Sequence, residues 1–332
     1  MTYDYLIVGA GLFGATCARL LTDAGKKVLV IEKMDHIGGN CADYERDGII
    51  ICRHGGHIFH TNSDRVWQWV NQFAEFTRYE HKVKAKYNHR IYSFPINRLT
   101  YEQFGLPINK ASTAILWDIF FKAYSEKKWG KPIDQIPESI TGRVNVRTTY
   151  DDRYFTDKYQ GMPVGGYSKF IGRILEGIAV ETKVDYFADE DLARAADTVI
   201  YSGPIDRLFD FDRGKLEYIS AEYRTLKERG DYQGCETVNH HDRKTPYTRT
   251  MEWKHYYRQN LPYTFFTYEY PRNTGEPYYP FPDERNLGIY KQYRELADKE
   301  QWLRVGGRLG SYKYLNMDQT IAQAIRLVER EL

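Results

Sequence analysis

Cysteine is scarce: Cys17, Cys41, Cys52 and Cys235 are the only four in 332 residues. None forms a CxxC or a finger spacing. That argues against a disulfide-stapled secreted domain and fits scattered reduced thiols in a cytoplasmic protein. No stretch approaches the ~20 apolar residues that cross a bilayer, so no membrane span is expected. The start, Met1-Thr2-Tyr3-Asp4, lacks a basic leader and a cleavage site, which argues against a signal peptide. Net charge is only +2 and no Lys/Arg run appears, so nucleic acid is not an expected partner. Internal repeats and low-complexity linkers are also missing. No Ser/His/Asp triad can be argued, and no carboxylate pair stands out. That absence suits chemistry carried by a cofactor.

Tyrosine is what the chain has in excess, with 29 residues in an aromatic content of 15%. A phenol stacks on rings and still donates a hydrogen bond, a combination that nucleotide and sugar ligands need. Hydrophobic residues make up 42% and charged residues 28%. This is the balance of an ordinary globular protein, with length for about two domains at roughly 150 residues each.

The first forty residues carry the sharpest pattern. An apolar run, Tyr5 to Val8, leads into Gly9-Ala10-Gly11-Leu12-Phe13-Gly14, and Ala15 to Ala24 has helical spacing with Gly25 as its stop. A second apolar strand, Lys27 to Ile31, ends on Glu32. Gly9 suits the tight turn, Gly11 the approach of a pyrophosphate, and Gly14 close helix–strand packing. Glu32 is placed to accept from a ribose diol. NAD and FAD share this motif. The second glycine pair, Gly38-Gly39-Asn40, resembles flavoproteins with two dinucleotide-binding motifs and decides for FAD.

Beyond it, Val83 to Phe94 is expected to be a hairpin turning at Asn88-His89, and Leu99 to Glu126 is helical in character, most clearly from Ala111 to Tyr124. Helices are expected over Tyr167 to Leu175 and Met317 to Arg330, and strands over Ala179 to Val184 and Thr198 to Ser202. Residues 217 to 281 are rich in Tyr, Thr and Phe, the composition of antiparallel strands. The fold class is α/β: a Rossmann-like FAD-binding parallel sheet, a small helical domain and an antiparallel sheet domain, interleaved along the chain. His54, His57 and His60 recur at intervals of three. No Cys or carboxylate lies within that segment and Gly55-Gly56 interrupts it, so no metal is expected. The alternative is that Gly55-Gly56-His57 passes the flavin ring, where only glycine permits so close an approach.

Several segments together resemble the bacterial UDP-galactopyranose mutase family, in family order over nearly the whole chain. They are Gly56-His57-Ile58-Phe59-His60-Thr61, Tyr124 to Gly130, Val144 to Arg147 and Tyr159 to Tyr167. Further on come Gly203 to Asp206, Pro246 to Arg249, Glu276 to Pro280, and Gly306 to Leu309 with Tyr312-Lys313-Tyr314. The resemblance implies that reduced FAD acts through N5 as the nucleophile, interconverting UDP-galactopyranose and UDP-galactofuranose. An external reductant such as NAD(P)H is implied as a partner.

By position in the family's motifs, Phe120, Phe121, Tyr124, Ser125 and Trp129 correspond to the uridine pocket; the same spacing also describes an aromatic helix core. Arg143, on a mobile loop, and Arg249 correspond to a diphosphate clamp, and Tyr154, Tyr279 and Tyr314 to phosphate-binding tyrosines. His57, the Gly56 carbonyl and Arg308 correspond to groups beside the flavin. Phe13, Lys33, Gly39, Asn40 and Met317 join Gly9, Gly11, Gly14 and Glu32 as cofactor-binding positions. The implied domains are residues 1–77, 163–211 and 282–332 for FAD, 98–146 for uridine, and 78–97, 147–162 and 212–281 for the antiparallel sheet.

Two departures stand out. The helical insert before Trp129 is shorter than the family's, so a homo-oligomer of different geometry is expected. Leu315-Asn316 replaces the usual Tyr-Asp, which bears on the sugar and leaves Asn316 as a helix N-cap. The competing readings are a mutase for a related UDP-sugar, an amine-oxidase-like flavoenzyme, and a flavoprotein that binds nucleotide sugars without turnover.

Overall fold

The computed structural model describes residues 3–142, 146–188, 192 and 195–332. Its first sheet is parallel and five-stranded. The order is Leu303–Val305, Ala196–Tyr201, Tyr3–Val8, Val28–Glu32 and Ala179–Thr182. Val28–Glu32 is buried at every residue, as expected for a parallel strand covered on both faces. Helix Leu12–Asp23 packs its small and apolar side chains, Ala15, Ala18 and Leu21 among them, against the C-terminal helix Met317–Glu331. The latter opens on Asn316, whose backbone N–H donates to Gln319 Oε1 at 3.0 Å.

A second sheet has seven strands, in the order Tyr279–Pro280, Tyr218–Arg229, Tyr263–Arg272, Arg249–Glu252, Thr237–His240, Val83–Tyr87 and Arg90–Phe94. Neighbours run antiparallel except Thr237–His240 beside Val83–Tyr87. The hairpin turns at Asn88 (φ 47°) and His89 (φ 63°), the left-handed pair that a two-residue loop requires. Because paired residues project to the same face, the register aligns one lateral row. Tyr223, Glu269, Arg249, Asn239, Ala85 and Tyr92 lie side by side across the sheet.

The helical character expected from Leu99 to Glu126 is present, divided among separate helices. Helix Arg98–Phe104 ends at Gly105 (φ 66°), and a new helix Lys110–Trp117 starts where Asn109 Oδ1 accepts from the Ser112 backbone at 2.9 Å. A wider π-helical turn, Asp118–Lys122, then leads into helix Ala123–Trp129, which stops at Gly130 (φ 64°). Gly105 and Pro107 interrupt the pattern because a left-handed glycine terminates a helix and proline cannot continue it.

Candidate active site

The glycine turn and its surroundings form one wall of a long cleft. A Cβ on Gly9 would lie 2.3 Å from Ser202 Oγ, and one on Gly14 would lie 1.9 Å from the Gly9 carbonyl oxygen. Both positions therefore exclude any side chain. The second glycine pair packs directly on the first. Gly38 N–H donates to the Ala10 carbonyl at 2.9 Å, and a Cβ on Gly39 would sit 3.2 Å from Gly11 Cα. Glu32, 7% exposed, accepts from Ala10 N–H at 3.0 Å and Met34 N–H at 2.9 Å. A carboxylate has about four lone-pair sites, so acceptor capacity remains for a diol. Phe13, Lys33, Asn40, Arg308 and Met317 also line this cleft. Lys33 forms an ion pair with Glu276 across it. At the end beyond Glu32, Arg207 lies 4.4 Å over the Phe187 ring and binds Asp185 at 2.8 Å. These features suit a dinucleotide with its pyrophosphate at the glycine turn.

Further along the cleft, Gly55 adopts φ +88° and leads into His57. Gly56 N–H points at Met251 Sδ, 2.9 Å away. His57 Nδ1 is 2.8 Å from the Gly55 carbonyl oxygen. A carbonyl only accepts, so Nδ1 carries the proton. Nε2 then faces the Tyr278 hydroxyl at 2.9 Å, which also reaches the His54 carbonyl at 2.5 Å. Burial above all pushes His57 down to about 3, and the Arg308, His54 and Arg249 charges add to it against the Gly55 hydrogen bond. The ring is neutral at physiological pH. His54 lines the same cleft and packs against Tyr278 and edge-on to Tyr223, whereas His60 stacks on Phe155 and binds Asp157 at 3.0 Å.

Arg308 donates through Nε and Nη2 to the Leu315 carbonyl, at 3.2 and 2.8 Å, while its buried Nη1 has no hydrogen-bond partner among the described residues. Its guanidinium lies 5.3 Å from the rings of both Tyr279 and Tyr314, which stack on each other at 4.8 Å and 11°. Arg249 sits 3.3 Å from Glu269 and donates to the Tyr124 hydroxyl at 3.4 Å. Burial raises the Glu269 carboxyl, but the Arg249 and Lys128 charges and the Thr248 hydroxyl outweigh it and hold the group below its ordinary value. The result is a buried anion among cations and phenols.

The other sequence-derived positions are more dispersed. Phe120 and Phe121, 1% and 6% exposed, pack with Tyr92 and Phe94 in the core beneath the helices. Trp129, 3% exposed, packs on Phe281 and Tyr279. Ser125 is partly buried, and Tyr154 stands edge-on to His81 and Phe155. Arg143 lies outside the described residues. Sequence reasoning missed Glu269, Tyr278, Phe187 and Arg207. Glu269 had a signal: it shares the inward-facing row of strand Tyr263–Arg272 with the fully buried Phe265 and Thr267, an apolar position that rarely holds a carboxylate.

A family model described as UDP-galactopyranose mutase matches residues 119–314, and one described as an NAD(P)-binding Rossmann-like domain matches residues 7–73. A probable UDP-galactopyranose mutase of Klebsiella pneumoniae is 36% identical, covering 99% of this chain and 94% of its own. The chain belongs to the UDP-galactopyranose mutase family. Membership makes it an isomerase, with an N-terminal dinucleotide-binding domain of the type shared with flavoenzymes. The dTDP-fucopyranose mutase of Escherichia coli is a second relative, 33% identical over 98% of this chain and 97% of its own. A crystal structure of a reduced UDP-galactopyranose mutase shares the fold, with a TM-score of 0.80 at 16% identity over 100% of this chain and 94% of that one. No described helix is long and apolar enough to cross a membrane.

Proposed function

We propose that this chain interconverts UDP-galactopyranose and UDP-galactofuranose with FAD held in the cleft and active only when reduced. The observation that carries this reading is a cleft that runs from the glycine cradle and Glu32 to His57 and Arg308, where the Arg308 guanidinium meets the stacked rings of Tyr279 and Tyr314. The chemistry a bound, reduced FAD supplies is a nucleophilic nitrogen at the anomeric carbon, so that the reaction needs no net redox change. Glu32 would hold the ribose diol, and the helix opening at Leu12 would receive the pyrophosphate. Neutral His57 and the Gly56 carbonyl would border the ring system without adding charge. Arg249, with Arg143, stabilises the diphosphate as its bond to the sugar breaks, through the paired donors of each guanidinium. The division into an FAD domain, a helical uridine domain and an antiparallel sheet domain follows the same reading. It places the protein in the cytoplasm, with an external reductant such as NAD(P)H and a homo-oligomer built on the shortened insert.

The test is chromatography of UDP-galactofuranose incubated with oxidised and with dithionite-reduced enzyme. Turnover only after reduction supports the reading, and equal turnover in both states defeats it. Heat should release FAD from yellow protein, and release of FMN or of no flavin counts against the cofactor. A second reading, a mutase for a related nucleotide sugar, is favoured by Leu315-Asn316 beside Tyr314. A dTDP-fucose substrate run in parallel decides it: preference for that sugar replaces galactose and leaves the reaction class standing.

A further inference from the structure

Lys127 has no part in the reaction as proposed, yet its ammonium is fully engaged. The half-buried side chain donates from Nζ to the carbonyls of His240, Asp242 and Thr245 at 2.6, 3.1 and 3.2 Å. An ammonium has three donors, so all of them are spent on one short loop. That loop closes the hairpin of strands Thr237–His240 and Arg249–Glu252, in which Asn239 pairs with Arg249. Lys127 therefore grips the turn beside the strand end from which Arg249 projects.

Helix Ala123–Trp129 also carries Tyr124, three residues before Lys127, so both side chains leave it on one side. Arg249 Nη2 donates to the Tyr124 hydroxyl at 3.4 Å, beyond the usual span of about 2.7–3.2 Å. A small shift of the helix against the hairpin would break that contact. Tyr124, the helix, Lys127, the loop and Arg249 thus form a closed circuit. Two further contacts seat the loop. His241 packs on Tyr124 and Phe120 with ring centroids 5.2 and 4.9 Å apart, and Arg243 binds Glu126 at 2.8 Å.

The charges around Nζ leave the grip dependent on the lysine's own proton. Burial pushes Lys127 down to about 8, against the opposing charge of Asp242. His240 and His241 face it as neutral rings, since burial drives each to about 3. Lys86, on the neighbouring strand, acts on His240, and Arg243 and Glu126 satisfy each other. The three-donor grip is complete below pH 8 and loses one donor above it.

We propose that Lys127 is a positioning residue: by holding the 240–245 loop to its helix, it sets Tyr124 and Arg249 at the spacing that binds the nucleotide diphosphate. This rests on the nucleotide-sugar reading given above.

The experiment is a double-mutant cycle of Lys127→Met and Tyr124→Phe on the flavin-loaded full chain, read by calorimetric dissociation constants of UDP. Each single variant should weaken UDP by roughly tenfold, and the pair by little more, because either change breaks the same contact. Flavin content, read by absorbance, should not change. Wild-type UDP affinity should fall as the pH rises through about 8, where Lys127 gives up its proton, and Lys127→Met should show no such fall. Lys127→Gln carries the same comparison if Lys127→Met does not fold. Wild-type UDP affinity in the lysine variant overturns the proposal. So do losses that add independently across the cycle, which would make Lys127 a staple of the fold with no share in Tyr124 and Arg249. A wild-type chain that binds no UDP fails the nucleotide-sugar reading itself, and this role falls with it. Normal wild-type binding with an indifferent lysine variant removes only Lys127.

Discussion

Replacing Arg249 by methionine separates what this residue does for catalysis from what it does for folding. The side chain is 22% exposed and its partner Glu269 only 4% exposed, with Nε 3.3 Å from Oε1. Removing the cation leaves a buried carboxylate with weaker compensation. Breaking such a pair costs about 3–5 kcal/mol of stability. Lys128 and the Thr248 hydroxyl still face Glu269, which argues for about 3 kcal/mol, the lower end. Separately, the transition state loses an oriented donor at the leaving diphosphate, about 2.7–4 kcal/mol in kcat/KM or roughly 10²–10³-fold. Arg249→Met combined with Glu269→Gln should divide these effects. Neutralising the orphaned carboxylate should restore most of the stability, whereas turnover should stay low. Urea unfolding and mutase kinetics on the wild type, both single variants and the pair make the comparison. A double variant as unstable as Arg249→Met would refute the buried-pair argument, and near-normal turnover in either arginine variant would refute the catalytic one.

Gly14→Ala should abolish flavin retention and lower expression of folded protein, because its Cβ would stand 1.9 Å from the Gly9 carbonyl; yellow, stable protein would show that the turn can shift. Acid should destabilise the fold through buried histidines. Burial chiefly drives His81, His240 and His241 down to about 3 from an ordinary 6.5, so the unfolded chain takes up protons that the folded one refuses. Their stability contribution is complete above pH 6.5 and is lost as the pH falls toward 3, about 2 kcal/mol per histidine between pH 7 and 5. His241 packs among Phe94, Phe120 and Tyr124, so His241→Phe should remove one such increment from the pH dependence of urea unfolding; an unchanged slope would contradict its burial as the cause.

The parts of the fold legible in the sequence are those whose causes are local. Gly9-Ala10-Gly11 between two apolar runs gives β–turn–α–β because each residue's role is set by neighbours a few positions away. The Asn88-His89 hairpin is equally local. The helix break at Gly105 is hard to read from the sequence because apolar spacing continues on both sides of it, and periodicity alone does not register a change of axis. Phe120 shows the same ambiguity: helical spacing fits a ligand pocket and a core alike, and burial beneath the hairpin follows from which strand lies under that turn.

The site was legible only in part because its charges are organised by strand register. Arg249 and Glu269 are 20 residues apart and become neighbours only as a direct cross-strand pair. Tyr223 joins them from the other side of Glu269, and Tyr278 reaches His57 from 221 residues away. Side chains alternate between faces with a period of two, so a slip of one residue would carry Arg249 and Glu269 to the opposite face and part Arg249 from the Tyr124 hydroxyl. On strand Tyr263–Arg272, Phe265 and Thr267 are fully buried on the face that carries Glu269, and that burial fixes the register against such a slip. The apolar core of the antiparallel sheet thereby determines where the cations of the site stand. A substitution that loosens Phe265 should therefore reduce turnover without touching any residue that meets the substrate.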